Sequence, residues 1–317
     1  MTPRDGDALV EAHGRNKRCI ALDLKDESDL EVMRALCDGA DVLVENFRPG
    51  TLERLGLDPD VLIERNPRLV VTGERVLPTG PTRADLGSRH AGRGSSGYAA
   101  IAGEPDGKPL LPPIALTDEV AALAAAFATM VAVHSGVGQV VDVNLLESML
   151  QLMGPLVALY GTTGELQPRL SGGVPYTVPR NTYRCADGEW VAISTSAASV
   201  AERLMDLVGL HGEEVASFGA RQANRELVDD AVSAWMSKRS LAEAMRELDE
   251  ADVAAAPVYD MADIFRDEHF AARRSIVEVD GVPMQQLIAR LSATPGRVRW
   301  AGRALDADGA QIREELG

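Results

Sequence analysis

The sequence predicts an α/β protein in two parts, a larger domain built on a parallel sheet and a smaller domain of α+β type. Two observations lead to this fold class. Over roughly the first half of the 317 residues, short runs rich in β-branched residues alternate with helical patterns, as in parallel sheets whose strands are joined by helices. Beyond residue 170, Gly and Pro cluster ahead of two adjacent strand patterns and a run of helices, which is typical of an antiparallel sheet packed against helices.

Three short apolar runs predict the first strands, at residues 19–24, 41–46 and 68–74. A helical pattern follows the first run, and Gly39 suits its C-cap because glycine readily adopts the left-handed conformation that ends many helices. Another helical pattern follows the second run and stops before Pro67, since proline does not continue a helix. These alternating elements predict parallel strands joined by right-handed crossovers.

A long loop and an alanine-rich helix come next. Residues 77–113 are rich in Gly, Pro, Ser and Arg, with one helical piece near residues 96–101, and loops of this kind above a parallel sheet tend to carry binding groups. Residues 120–133 contain no charge, so this helix is predicted to be buried. A strand over residues 138–143 and a helix over residues 145–153 follow.

The smaller domain is predicted from a hairpin signal and the helices after it. The tripeptide "ADG" at residues 186–188 separates two strand patterns. Helical patterns cover residues 227–239 and 241–253, and the tail ends in a further helix that returns to the larger domain. The predicted divisions are residues 1–168, 169–290 and 291–317.

Composition limits the classes of function. Lys and Arg number 32 against 48 Asp and Glu, a formal net charge of -16, so neither nucleic acid nor an anionic membrane is expected as a partner. Three cysteines without a CxxC pair, and no apolar leader, favour a cytoplasmic protein, with Cys19 and Cys37 as small core residues. The five histidines lack metal-ligand spacing, so no metal site is expected.

The acidic pair Asp118 and Glu119 begins the alanine-rich helix and has two interpretations. Thr117 and Asp118 suit an N-cap, because their oxygens accept hydrogen bonds from the free N–H groups of the first turn. A carboxylate held at a helix N-terminus also stays ionised and can act as a nucleophile on a thioester. The residue types alone favour the cap.

Basic residues suggest anion sites in an acidic chain. Arg48 and Arg54 follow the second strand, at the end where open α/β sheets bind ligands, and could clamp phosphates or pair with Glu45 and Glu53. The cluster "GRNKR" at residues 14–18, together with Lys25, is either a solvated turn or an anion site. The "SGG" at residues 171–173 is either a linker or a mobile glycine loop.

Several of these motifs together resemble the family III CoA transferases, which include the α-methylacyl-CoA racemases. The stretches that carry the resemblance are "GRNKRCIALDLK", "DVLVENFRPGTLERLGL", "NPRLVV", "SSGYAAIAGEPDGKP", "LTDEVAAL", "SGVGQVVDVNLLESML" and "LSATPGRVRWAGRAL". The resemblance implies a Rossmann-like sheet in the large domain, a smaller α+β domain and an interlocked dimer. It also implies an acyl-CoA and a carboxylic acid as substrates, with no tightly bound cofactor.

The resemblance assigns the site residues. Asp118 matches the aspartate that forms an acyl anhydride and then a thioester with CoA, and Glu119 becomes a first-turn acid without a covalent role. The expected CoA contacts are Leu22, Lys25, Asn46, Phe47, Arg48 and Arg54, with Ser88 and Arg89 in the loop over residues 86–89. The glycine loop that shields the intermediate from water matches Gly172 and Gly173.

Three departures from the family pattern leave alternatives open. The chain opens without the strand–helix–strand that precedes "GRNKR" in most members, so either its start is truncated or a partner chain supplies this unit. The Gly-rich CoA loop is reduced to "RVLPTGP" at residues 75–81. The histidine base of the racemases falls at Ser88, with His90 two residues on. A racemase and a non-catalytic partner subunit are therefore the alternatives to a transferase.

Overall fold

The first sheet is parallel, as the sequence predicts. A computed structural model describes residues 10–75 and 96–317 of the chain. The strands are β1 (Val42–Glu45), β2 (Val70–Arg75) and β3 (Gln139–Asn144), in that order across the sheet. Both strand pairs are parallel, so the carboxyl ends of all three strands share one edge of the sheet, the carboxyl edge.

Three helices accompany the first two strands: α1 (Glu27–Gly39), α2 (Thr51–Arg54) and α3 (Pro59–Arg65). The side chain of Asp26 caps α1 by accepting hydrogen bonds from the N–H groups of Ser28 and Asp29. Residues of these helices, of β2 and of the adjoining turns form a small apolar core that includes Leu30, Cys37, Leu52, Leu57, Leu62, Leu69 and Val71. Burial raises the pKa of the Cys37 thiol, in keeping with its predicted place in the core.

Among the described residues between β2 and the second sheet are the helices α4 (Tyr98–Ile101), α5 (Leu116–Ser135), α6 (Leu145–Leu152) and α7 (Leu156–Thr163). The predicted burial of α5 is correct for one face only, because Phe127 is 74% exposed and Met130 63% exposed. By length and composition α5 could cross a membrane, a test that core helices of soluble proteins also pass. Its other face packs against β2, β3 and α6.

The second sheet is antiparallel and contains the predicted hairpin. Its strands are β4 (Arg180–Arg184), β5 (Trp190–Ser194) and β6 (Ala255–Pro257), in that order. Its helices are α8 (Ala198–Val208), α9 (Phe218–Ala223), α10 (Arg225–Met236) and α11 (Leu241–Glu250). Tyr183, Val191 and Ile193 point into a core shared with α8, α10 and α11. The strands and helices predicted here are confirmed.

The remaining elements are α12 (Met261–Arg266), α13 (Glu268–Ala272), the hairpin β7 (Ile276–Val279) and β8 (Val282–Gln285), and α14 (Gly309–Leu316). The last segment of the chain packs against the first. The N–H of Asn16 donates to the carbonyl of Trp300, and the N–H of Gly302 donates to that of Glu11. At Gly302 an added Cβ would lie 2.1 Å from the Val10 carbonyl oxygen, so only glycine fits this contact.

Three predictions about the structure near the start of the chain are wrong. Residues 19–24 form no strand, because side chains of the last segment bind their backbone groups. Asp308 accepts from the N–H of Cys19 at 2.8 Å, and Asp306 accepts from that of Ala21 at 2.9 Å. Cys19 is accordingly half-buried and not a core residue. Gly39 is also not a C-cap: it is the last helical residue of α1, and Ala40 ends the helix in an extended conformation.

Candidate active site

The direction of α5 places Asp118 at the carboxyl edge of the parallel sheet. α5 leads directly into β3, and the N–H of Gly138 donates to the carbonyl of Pro67, just before β2 begins. The C-terminus of α5 therefore lies at the opposite edge. The eleven residues from Thr129 back to Asp118 rise about 16 Å, whereas β2 extends only about 10 Å from Thr72 to its end. Since Thr72 and Thr129 are in contact, Asp118 projects past the end of β2.

Asp118 occupies the first turn of α5 but does not cap it. Ala115 is the N-cap residue and provides no side-chain hydrogen bond, so the predicted capping role of Thr117 and Asp118 is wrong. Thr117 is instead fully buried beneath the helix. Asp118 is half-buried and Glu119 is exposed, and both carboxylates benefit from the positive end of the helix dipole.

A stripe of small residues fixes the orientation of α5. Its buried residues are Thr117, Ala121, Ala125, Thr129 and Ala132, at helical spacing. Small side chains let the helix lie close to the sheet, and the hydroxyls of Thr72 and Thr129, both buried, lie 2.6 Å apart. This packing determines where the half-buried carboxylate of Asp118 is held.

The loop after β1 lies at the same edge. Asn46, Phe47 and Arg48 are exposed, and the buried carboxylate of Glu45 accepts a 2.7 Å hydrogen bond from the N–H of Phe47. Gly50 adopts a φ of 79°, which turns the chain into α2.

Neither arginine of this loop forms the predicted alternative pair. Arg54 donates to the hydroxyl of Thr51 at 2.8 Å. Within the described ranges, 10–75 and 96–317, neither Arg48 nor Arg54 forms an ion pair with Glu45 or Glu53. Both guanidiniums are exposed at the carboxyl edge and accessible to an anion.

Leu22 and Lys25 precede α1, which runs back along the sheet to the start of β1. The N-terminus of α1 is therefore also at the carboxyl edge, and Lys25 is exposed there. The cluster at residues 14–18 has a structural role instead. Arg18 pairs with Glu315 at 2.7 Å, and Arg15 donates to the carbonyl of Gln285. Of the predicted basic cluster, Lys25 is placed for an anion at this edge.

The glycine loop packs on the start of the second sheet. An added Cβ at Gly172 would lie 2.8 Å from the side-chain oxygen of Asn181, and one at Gly173 would lie 3.0 Å from Arg225. The hydroxyl of Ser171 donates to Glu104 at 2.6 Å, which ties the loop to the segment leading into α5. Both glycines therefore allow a close approach between the loop and its neighbours.

A half-buried acid near the glycine loop, Asp229, was not predicted from the sequence. The hydroxyl of Tyr183 donates to Asp229 at 2.6 Å, and burial raises the pKa of Asp229 despite this bond. Arg225, one helical turn before Asp229, donates to the carbonyl of Val174 at 2.8 Å. An Asp four residues after an Arg is a common surface pattern, so the sequence alone carried no signal of this burial.

Two predicted contacts, Ser88 and Arg89, lie outside the described residues, as does His90. The structure brings Asp118, Leu22, Lys25, Asn46, Phe47, Arg48 and Arg54 to one edge of the sheet. In the part of the chain that the structure describes, no group of three or more His, Cys, Asp or Glu side chains is placed to hold a metal ion.

Comparisons with known proteins agree on one family. Residues 1–309 match the profile of CoA-transferase family III. The chain is 34% identical over 316 residues to succinyl-CoA–D-citramalate CoA-transferase of Chloroflexus aurantiacus, covering 95% of this chain and 79% of that protein. It is 32% identical over 341 residues to succinyl-CoA:mesaconate CoA-transferase of Haloarcula hispanica, covering 99% and 84%.

A solved structure shares the fold as well. The crystal structure of a CAIB/BAIF family protein from Brucella suis superposes with a TM-score of 0.86 at 28% identity, covering 98% of this chain and 84% of that one. The profile match spans nearly the whole sequence, and the relatives exceed 30% identity over most of their length. The chain therefore belongs to CoA-transferase family III.

Proposed function

We propose that this protein transfers CoA from an acyl-CoA to a carboxylic acid, with Asp118 as the nucleophile. The observation that carries the proposal is the position of Asp118, held half-buried at the carboxyl edge by the packed stripe of α5. Three basic residues, Lys25, Arg48 and Arg54, lie at that edge and suit the phosphates of CoA. The relatives are named as transferases that use succinyl-CoA.

The proposed reaction is a series of balanced acyl exchanges. The Asp118 carboxylate attacks the thioester carbon of the donor and expels CoA thiolate, which leaves an acyl-aspartyl anhydride. The thiolate then attacks the aspartyl carbonyl of the anhydride, which forms an aspartyl-CoA thioester and releases the donor acid. The acceptor carboxylate attacks this thioester and expels CoA thiolate again, which gives a second anhydride between Asp118 and the acceptor. Thiolate attack on the acceptor's carbonyl yields the new acyl-CoA and regenerates Asp118.

This sequence consumes no water, so hydrolysis of the anhydride must be suppressed. The loop at Gly172 and Gly173 is proposed to cover the intermediate. Leu22, Asn46 and Phe47 are proposed to contact the rest of CoA, together with Ser88 and Arg89. The names of the relatives point to CoA esters of dicarboxylic acids as the substrate class.

Trapping tests the nucleophile. Wild-type protein incubated with succinyl-CoA and hydroxylamine is expected to carry a hydroxamate on Asp118, detected by peptide mass spectrometry. Asp118→Asn is expected to lose the adduct and on the order of a thousandfold or more in kcat. Glu119→Gln, in the same turn but exposed, is the matched control and should keep both. Exchange of the α-proton of an acyl-CoA without any adduct would show a racemase instead.

We also propose that two copies of the chain form an interlocked dimer. α5 leaves Leu123, Phe127, Met130 and Val131 exposed on its outer face. Contiguous apolar surface of this kind is rarely left open to water. Light scattering of the purified chain is expected to give twice the mass of 33.8 kDa.

A further inference from the structure

A groove lies beside Gly172 on the outer face of the antiparallel sheet. It encloses about 440 Å³, within the range of small-molecule sites. Arg180, Thr182 and Ser194 line it, together with Ala255 and Ala256 of β6. The groove lies next to the glycine loop that is proposed to cover the acyl intermediate.

Strand register explains why there is room for a ligand. Arg180 lies opposite Ser194, and Thr182 lies opposite Ala192, which in turn pairs with Ala256. Because side chains alternate along a strand, these five residues share one face of the sheet. The other face is filled by the core. The groove on this outer face thus has a floor of short side chains and Arg180 at one end, whereas Arg184 and Trp190, farther along the same face, do not line it.

Arg180, at the start of β4, is a half-buried cation. In the residues that the structure describes, its guanidinium forms neither an ion pair nor a hydrogen bond, and no Asp or Glu lines the groove. Nearby arginines are occupied: Arg225 donates to the carbonyl of Val174, and the buried Arg221 donates to that of Val178. In a chain with 48 acidic residues against 32 basic ones, an arginine that forms no ion pair within the described residues is suited to an external anion.

We propose that Arg180 binds the distal carboxylate of a dicarboxylic acid, the carboxylate that is not joined to CoA. The planar guanidinium matches a carboxylate with two parallel hydrogen bonds. The hydroxyls of Thr182 and Ser194, on the same face, are additional donors. The inference rests on the proposed CoA transfer and identifies the side chain that selects its substrate class.

Substrate selectivity tests the site. Succinate and butyrate have the same chain length, and a methyl group in butyrate replaces the second carboxylate. Arg180→Gln is expected to lower kcat/KM for succinate as acceptor by about 10- to 100-fold, since hydrogen bonds to charged groups contribute about 1.5–3 kcal/mol. The kcat/KM for butyrate should stay unchanged. Arg184→Gln removes the same charge from the exposed end of β4 and is expected to leave both substrates unaffected.

Two results would overturn the assignment. An equal loss for succinate and butyrate would mean that Arg180 acts on the fold, and no loss for either would mean that the second carboxylate binds elsewhere. Arg180→Lys separates charge from geometry: it should retain part of the preference for succinate, because it keeps the charge but not the bidentate fork.

Calorimetry of succinate binding, without any CoA ester, separates this inference from the transfer reaction. Binding to wild type that is lost in Arg180→Gln supports the site even if no CoA transfer is found. Transfer with unaltered succinate preference in Arg180→Gln supports the transferase and refutes the site.

Discussion

The two sheets of this protein are packed in different ways. The antiparallel sheet encloses a core on its inner face, in which Val191, Leu204 and Met236 are almost fully buried. The parallel sheet has a smaller leucine-rich core, and its longest helix, α5, keeps an apolar face open. The comparison indicates that the region of the antiparallel sheet is stabilised by its own contacts. The region of the parallel sheet, in contrast, presents an apolar face of α5 that is suited to contact with another protein surface.

Replacing a methionine by alanine in each region is expected to give the largest difference in the free energy of unfolding. Met236→Ala removes a fully buried side chain beside the antiparallel sheet and is expected to lower the free energy of unfolding by about 2–5 kcal/mol. Met130→Ala on α5 should change it by about 0.5 kcal/mol or less in the isolated chain, because this side chain is 63% exposed. Urea titration at low protein concentration measures both values. Equal losses would show that the parallel region has a closed core after all.

A smaller loss in the free energy of unfolding is expected when Thr129, at the contact between α5 and β2, is replaced. Thr129→Val keeps the volume but leaves the buried hydroxyl of Thr72 without its partner, which should cost about 1–3 kcal/mol. The double variant, with valine at both positions, should recover much of this loss because no hydroxyl remains unpaired. A double-mutant cycle by urea titration measures the coupling. Additive losses would mean that the two hydroxyls do not interact.

The smallest effect on stability, but a large one on assembly, is expected at Phe127. This side chain is 74% exposed, so Phe127→Glu should leave the unfolding of the single chain within about 0.5 kcal/mol of wild type. If α5 is covered by a second copy, the charge will dissociate the dimer, and light scattering will show 33.8 kDa. Phe127→Leu keeps the apolar contact and should remain dimeric. A wild-type chain that is already monomeric would refute the dimer.

Local patterns predicted most of the fold. Alternation of strand and helix signals located β1, β2 and β3, and the "ADG" signal located the hairpin of β4 and β5. The prediction of a strand at residues 19–24 failed because Asp306 and Asp308, nearly 290 positions away, bind that backbone. The prediction that Asp118 caps α5 failed because the N-cap residue is Ala115, three positions earlier. The position of a cap depends on where the backbone turns and not on residue type alone.

The candidate site was only partly accessible from the sequence. Asp118, Lys25, Arg48 and Arg54 could be named because motif order and the rule for parallel sheets both indicate the carboxyl edge. Arg180 could not, because it looks like any strand arginine until the register and the missing partner are known. The roles of Lys25, Arg48 and Arg54 in binding CoA remain predictions. The domain boundaries and the cytoplasmic location also remain predictions.

The contact between the first and last segments of the chain affects the order of events during synthesis. Cys19 and Asp308 exchange hydrogen bonds across 289 positions of sequence. At a translation rate of about 5–20 residues per second, the early segment waits roughly 15–60 s for its partner to leave the ribosome. Before Asp308 is available, the antiparallel sheet can already form. The strands of the parallel sheet are also complete by then, but the hydrogen bonds between Cys19 and Asp308 are not yet made. Nascent-chain pausing near residue 300 would therefore expose the N-terminal segment, and not the hairpin, to proteases and chaperones.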